Sequence, residues 1–282
     1  MPELPEVEIL VRHLNPVLRG RTIREAVVHR AKSVRPDTAE RFVAGMVRAK
    51  ILQVRRRAKY LLFDLETRSK TPTLLLGHLG MTGRMYVQPA RASLPKHAAV
   101  SLRLNRGVFV FEDTRYFGRM TLDASSLEKL GPEPLCDQFN GHVLHKGLRK
   151  CSQPIKTKLL DQGLLAGVGN IYASEALWRA EISPRKISGR LSGRQCDRLA
   201  ECIQVVLRKA IEAGSTMPLD FSGGGTGDGL FYYGSTSETV GHEENLNVYD
   251  REGEPCSRCK GMIRRIVQAN RSTFYCPQCQ RG

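Results

Sequence analysis

The pattern that most limits what this chain can fold into lies near its C-terminal end. Cys256, Cys259, Cys276 and Cys279 form C-x2-C-x16-C-x2-C, the spacing of a four-thiolate zinc site. Each C-x2-C pair sets two sulfurs on one tight turn, and the segment between the pairs is long enough for a hairpin. GMIRRIVQ (261–268) and RSTFY (271–275) read as its strands, with Ala269 and Asn270 near the turn. A disulfide framework is the alternative, but MPELPEVEIL carries acids where an export signal has a basic segment. Four sulfurs close the coordination shell, so one structural zinc ion per chain is expected to fold the tail and do no chemistry. Cys136, Cys151, Cys196 and Cys202 have no ligand spacing and read as small core residues.

Charge narrows the function. Lys and Arg number 44 against 28 Asp and Glu, a formal net charge of +16. Residues 48–59, RAKILQVRRRAK, hold six basic side chains and no acid, and the chain from Cys256 onward repeats that pattern. Two acid-free clusters in so basic a chain point to a polyanionic partner, and to nucleic acid in particular. No apolar run approaches the ~18–20 residues of a membrane helix, so no membrane partner is expected.

Along the chain, Leu4, Val7, Val11, Leu14 and Leu18 predict an amphipathic helix over 3–18, with Pro5 in its first turn and Gly20 after its end. From 22 to 122 short β-branched and aromatic runs predict a β-sandwich or barrel. Its clearest hairpin is AVSLRL (99–104), a turn at 105–107, and VFVFED (108–113). GPEPL (131–135) reads as a linker, after which helical periodicity returns at 174–180 and 192–213. Ser192 and Gln195 have capping-box spacing, and Leu199, Cys202, Val206 and Ala210 form the predicted stripe. Residues 215–247 are Gly-rich and show no period.

Two places suggest chemistry. Loss of Met1 would leave Pro2 as a terminal secondary amine, and such an amine, with a pKa near 8, is roughly one-tenth free base at neutral pH. Attack on a sugar C1′ would give an iminium, an electron sink that favours elimination at the neighbouring carbon. In AGVGNIYASE (166–175), two glycines and Asn170 lead into a helix. That is either a backbone phosphate site or a helix capped by Asn170.

PELPEVE, RRRAKYL around Lys59, HLGMTG from His78, DTRYFG from Asp113, GPEPL, AGVGNIYASE and the four-cysteine ribbon stand in this order along almost the whole chain. Together they resemble the bacterial formamidopyrimidine-DNA glycosylase family, with Ala58 where that family commonly has Gly before the lysine. The resemblance implies an α+β multidomain fold: an N-terminal helix plus β-sandwich (1–130), a linker (131–135), a helix-two-turns-helix domain (136–247) and a zinc-ribbon β-hairpin (248–282).

It also implies a bifunctional glycosylase and AP lyase acting on double-stranded DNA with an oxidised purine or an abasic site. The catalytic set would be Pro2 as nucleophile, Glu3 as general acid, Lys59 and Arg271, with Glu6 as a supporting acid. His78, Lys156, Asn170 and Arg271 would bind DNA, and Glu175 resembles a motif residue without a catalytic step. Met81, Arg115 and Phe117 would fill the gap left by the flipped nucleotide, a role in which the rival reading is core packing. The expected protein is a monomer in the bacterial cytoplasm, held at the nucleoid by DNA. A non-catalytic or lyase-only damaged-DNA-binding protein and an endonuclease VIII-type enzyme for oxidised pyrimidines are the alternatives. The family's base-selecting loop is shorter than 215–247, which is expected to be mobile without DNA and to bear on base preference.

Overall fold

A computed structural model describes residues 2–67, 70, 72–215 and 246–281. Most of the 215–247 segment, with Phe231, Tyr232 and Tyr233, therefore lies outside the described residues, as does Met1. The chain divides into two units, one holding Met1–Glu128 and the other Lys129–Ala213 with the C-terminal segment.

The first unit opens with α1 (Leu4–Leu18), whose apolar stripe is buried as the periodicity predicts. Glu3 is its N-cap. Glu3 N–H donates to Glu6 Oε2 at 2.6 Å, and the Glu6 N–H donates back to the Glu3 side chain, a reciprocal box that satisfies two orphan donors. Two antiparallel sheets follow. One runs in the order β1 (Ile23–Val28), β6 (Ala98–Leu104), β7 (Val108–Asp113), β5 (Gly83–Gln88). The other runs β2 (Lys50–Arg57), β3 (Tyr60–Glu66), β4 (Pro72–His78), β8 (Arg119–Thr121). Between their inner faces lies the core, where Phe63 of β3 meets Phe109 of β7 edge-on at 5.6 Å, capped by Leu10 and Leu14 of α1.

The run of strands expected over 22–122 is interrupted by a helix, α2 (Ala39–Met46). Thr38 caps it by accepting from Arg41 N–H at 3.2 Å, and Phe42 and Met46, one turn apart, are wholly buried in the sandwich core. These two apolar anchors are too few to raise a helical period above the neighbouring β-like runs.

How the sheets connect matters for function. The chain passes from β4 to β5 through residues 79–82, and from β7 to β8 through 114–118. Gly83 pairs with Asp113 in one sheet and His78 with Arg119 in the other, so both crossovers leave at the same end and lie side by side. Glycines allow their contact. A Cβ on Gly80, whose φ is +62°, would stand 2.6 Å from Gly118 N, and one on Gly118 2.9 Å from the His78 carbonyl oxygen.

The second unit is helical: α3 (Gly141–Leu148), α4 (Ile155–Leu159), α5 (Asn170–Arg179) and α6 (Gly193–Ser215). The Ser192–Gln195 capping box forms, with reciprocal bonds of 3.1 and 3.3 Å. The buried stripe of α6 is Cys196, Leu199, Ile203, Leu207 and Ile211, while Val206 and Ala210 are only half-buried at its edge. The predicted face was thus rotated by about one residue. Cys196 and Cys202 are core residues as expected, whereas Cys136 and Cys151 are half-buried. The hairpin of β9 (Arg264–Gln268) and β10 (Arg271–Tyr275) turns at Ala269 and Asn270, both with positive φ, as a tight two-residue turn requires. Among the described residues no helix is long and apolar enough to cross a membrane.

We expect Gly118→Ala to lower stability by about 1–3 kcal/mol, because its methyl would press on Phe111 and the His78 backbone. Urea unfolding of the variant against the parent chain measures this.

Candidate active site

The N-terminal residues of the first unit are buried: Pro2, then Glu3 at 3% exposure and Glu6 at 6%. The capping box holds both acids beside Pro2 at the positive end of α1, where carboxylates are favoured. Further along the helix, Glu8 Oε2 accepts from Arg56 Nε at 2.8 Å, which ties α1 to the end of β2. Arg56 also donates to the Ala58 carbonyl at 3.1 Å. The turn that follows carries Lys59, itself 6% exposed. Ala58 there has φ +53°, a left-handed backbone that explains why glycine suits this position.

Strand pairing sets Tyr60 opposite His78, with their rings 4.9 Å apart. His78 Nδ1 accepts from Gly80 N–H at 3.1 Å, so this ring shapes the first crossover turn from within. Burial, with the cations Lys59 and Arg119 nearby, pushes its pKa from 6.5 down to about 4. At neutral pH it is therefore an uncharged ring.

Beyond His78 the two crossovers present Met81, 39% exposed, and Phe117, 51% exposed. The Arg115 guanidinium lies 5.1 Å from the centre of the Phe117 ring. A core-packing role for Met81 and Phe117 does not fit this exposure. The groups that hold them were not assigned from sequence. Asp113, fully buried, accepts from Thr82 Oγ1 at 2.5 Å, Arg115 N–H at 3.1 Å and Gly118 N–H at 2.7 Å.

In the second unit Gly169, not Asn170, is the N-cap of α5. The Asn170 side chain serves elsewhere: its Nδ2 donates to the Ser272 carbonyl at 3.0 Å and its Oδ1 accepts from Lys156 Nζ. Lys156 is wholly buried, and its ammonium also reaches the Ser272 carbonyl at 3.3 Å. This network sets the hairpin against the start of α5, with Arg271 exposed beside the turn. Glu175 accepts from the backbone N–H groups of Asn247, Val248 and Tyr249, gathering that turn onto α5.

The sulfurs of Cys256, Cys259, Cys276 and Cys279 lie within 4.8 Å of one another. The Cys256–Cys279 and Cys259–Cys276 separations are 3.9 and 3.4 Å. A tetrahedral zinc with bonds of about 2.3 Å needs sulfurs about 3.8 Å apart, so the cluster fits one structural zinc ion. Trp178 of α5 donates its indole N–H to Cys256 Sγ at 3.4 Å and joins Val248, Ile263 and Phe274 in the small core beneath.

The β-sandwich, the helical unit and the four-cysteine hairpin correspond to the architecture of DNA glycosylases of the helix-two-turns-helix class. Residues 1–120 match the formamidopyrimidine-DNA glycosylase N-terminal domain, 130–220 the H2TH domain of the same enzymes, and 253–282 the zinc finger found in FPG and IleRS. Formamidopyrimidine-DNA glycosylases of Ruegeria pomeroyi and Alcanivorax borkumensis are each 40% identical, with all of both chains covered. Among solved structures, a point mutant of Lactococcus lactis FPG bound to Fapy-dG-containing DNA is 32% identical with a TM-score of 0.85, covering 100% of both chains. Lactococcus lactis Fpg in complex with DNA containing an abasic site is 31% identical with a TM-score of 0.85, covering 99% of this chain and 100% of that one. The chain belongs to the formamidopyrimidine-DNA glycosylase family. It is a DNA glycosylase and AP lyase of base excision repair.

Two outcomes test this geometry. The His78 ring resonance should titrate by NMR with a midpoint of about 4. Since the folded pKa lies below the unfolded one, the stability this neutral ring contributes is whole above pH 6.5 and is lost as pH falls towards 4. Stripping the zinc with a chelator should loosen the small core and shift the emission of Trp178, the chain's single tryptophan. An unchanged spectrum after verified metal loss would contradict that coupling.

Proposed function

We propose that the chain removes oxidised purines, 8-oxoguanine and formamidopyrimidines, through a Schiff base on Pro2. The observation that carries this reading is the buried Glu3 held by its capping box directly beside Pro2. After loss of Met1, the Pro2 amine attacks C1′ and the glycosidic bond breaks, the base leaving with the bonding pair. Glu3 delivers a proton to the ring oxygen as the sugar opens and the iminium forms. Loss of a C2′ proton then expels the 3′ phosphate, and a second elimination expels the 5′ phosphate. A one-nucleotide gap with phosphorylated ends remains. Glu6 supports by fixing Glu3, whose backbone N–H it accepts.

Lys59 is assigned to the phosphate beside the lesion, and Asn170 and Arg271 to the same strand. His78, neutral and turned onto Gly80, orders the turn that reaches the duplex. Lys156 serves from beneath, since its buried ammonium holds Asn170 and the hairpin together. Met81, Arg115 and Phe117 fill the space of the extruded nucleotide, with the guanidinium facing the orphaned base. Phosphate contacts dominate affinity in a chain of net charge +16, so binding falls steeply with salt. The working division is a catalytic domain over 1–130, a linker at 131–135, a DNA-binding domain over 136–247 and the ribbon over 248–282. The bacterial cytoplasm, at the nucleoid, is the corresponding location.

Borohydride trapping on a duplex with 8-oxoguanine opposite cytosine should give a covalent adduct that mass spectrometry maps to Pro2. Glu3→Gln should abolish base excision and spare duplex binding. Unchanged excision by that variant removes Glu3 from the mechanism.

A further inference from the structure

The wedge assigned above consists of three side chains on two separate crossover turns, and something must fix one turn against the other. Thr82 closes the Met81 turn, and Asp113 opens the turn that carries Arg115 and Phe117. The Asp113 carboxyl, with no exposure to solvent, takes one donor from the first turn, Thr82 Oγ1, and two from the second, the N–H groups of Arg115 and Gly118. Both turns also leave paired strands at matched positions, Gly83 opposite Asp113. Tyr116 completes the second turn. Its backbone is left-handed, φ +54°, its hydroxyl lies 3.2 Å from His97 Nδ1, and the Arg30 guanidinium covers its ring at 4.9 Å. With Tyr116 clamped, its neighbours Arg115 and Phe117 stand exposed on either side, close enough to stack on each other.

We propose that Asp113 is a positioning residue for readout of the opposite base: it locks the two turns together, so that Met81, Arg115 and Phe117 enter DNA as one preformed wedge. This rests on the void-filling reading of those three residues. Asp113 touches no reacting atom. It fixes where the Arg115 guanidinium meets the orphaned base, and so how well the enzyme tells cytosine from adenine there.

Asp113→Asn keeps the shape but turns an NH2 group against an N–H or O–H donor that the carboxyl accepts. On lesion duplexes, kcat should fall about tenfold or more while KM changes by less than about threefold, because phosphate contacts carry ground-state binding. The preference between opposite cytosine and adenine should narrow in parallel. Strand cleavage at an abasic site in a single-stranded oligonucleotide, which has no opposite base, should stay within about twofold. Thr82→Val removes one of the three bonds and should move the same readouts in the same direction, more weakly, which covers a failure of Asp113→Asn to fold. Equal losses on single strand and duplex, or an unaltered opposite-base preference in both variants, would overturn the proposal. Arg115→Ala separates the two levels. If it keeps the full preference, the void-filling reading itself fails. If it narrows the preference while Asp113→Asn and Thr82→Val do not, only the positioning role of Asp113 is lost.

Discussion

The chain of the first unit crosses twice between its sheets at one end and brings two turns into van der Waals contact there, and the unit is organised around that contact. Side chains larger than hydrogen at 80 and 118 would force the turns apart. The Asp113 carboxyl then supplies acceptors for donors that burial would otherwise strand, at about 1–3 kcal/mol each. His78 works from the other side, accepting from Gly80 N–H at the start of the first turn. The exposed Met81 and Phe117 stand on the two turns that this contact holds in place, apolar groups left in water.

The second unit solves a different problem, since its C-terminal hairpin is too small to bury a core of its own. Zinc supplies the cross-link, and Trp178 supplies the missing apolar surface from α5. Arg258 lies over the indole at 4.4 Å and pairs with Glu181 at 2.9 Å, which extends the junction to the surface. The buried Lys156 ammonium joins α4, α5 and β10 through Asn170 and Ser272. An exposed Arg271 thus stands on a base made rigid by metal, ring and ammonium together.

What could be read from the sequence was what depends on neighbours in the chain. The stripe of α1, the hairpin over 99–113, the zinc hairpin and the Ser192–Gln195 box are each set within a few residues, and each formed. Helix α2 escaped because only Phe42 and Met46 mark it. AGVGN left open a backbone phosphate site or a helix capped by Asn170, and the cap at Gly169 frees Asn170 for a bond more than a hundred residues away. The side chains that hold the site were illegible for the same reason. Thr82 and Asp113 lie 31 residues apart and meet only through the sheet pairing. HLGMTG and DTRYFG drew attention to Met81, Arg115 and Phe117, which are exposed, and nothing in the letters distinguished Thr82 and Asp113 buried beneath them.

The Glu175 carboxyl, by gathering the N–H groups of 247–249 onto α5, fixes the point at which the chain returns after 216–245, while the end of α6 fixes where it departs. Closing a chain between two anchored ends costs entropy that grows only with the logarithm of its length. Doubling an insertion there, even an unstructured one, costs only about 0.6 kcal/mol. Length in this stretch is therefore nearly neutral for folding and can change without disturbing the anchors on either side.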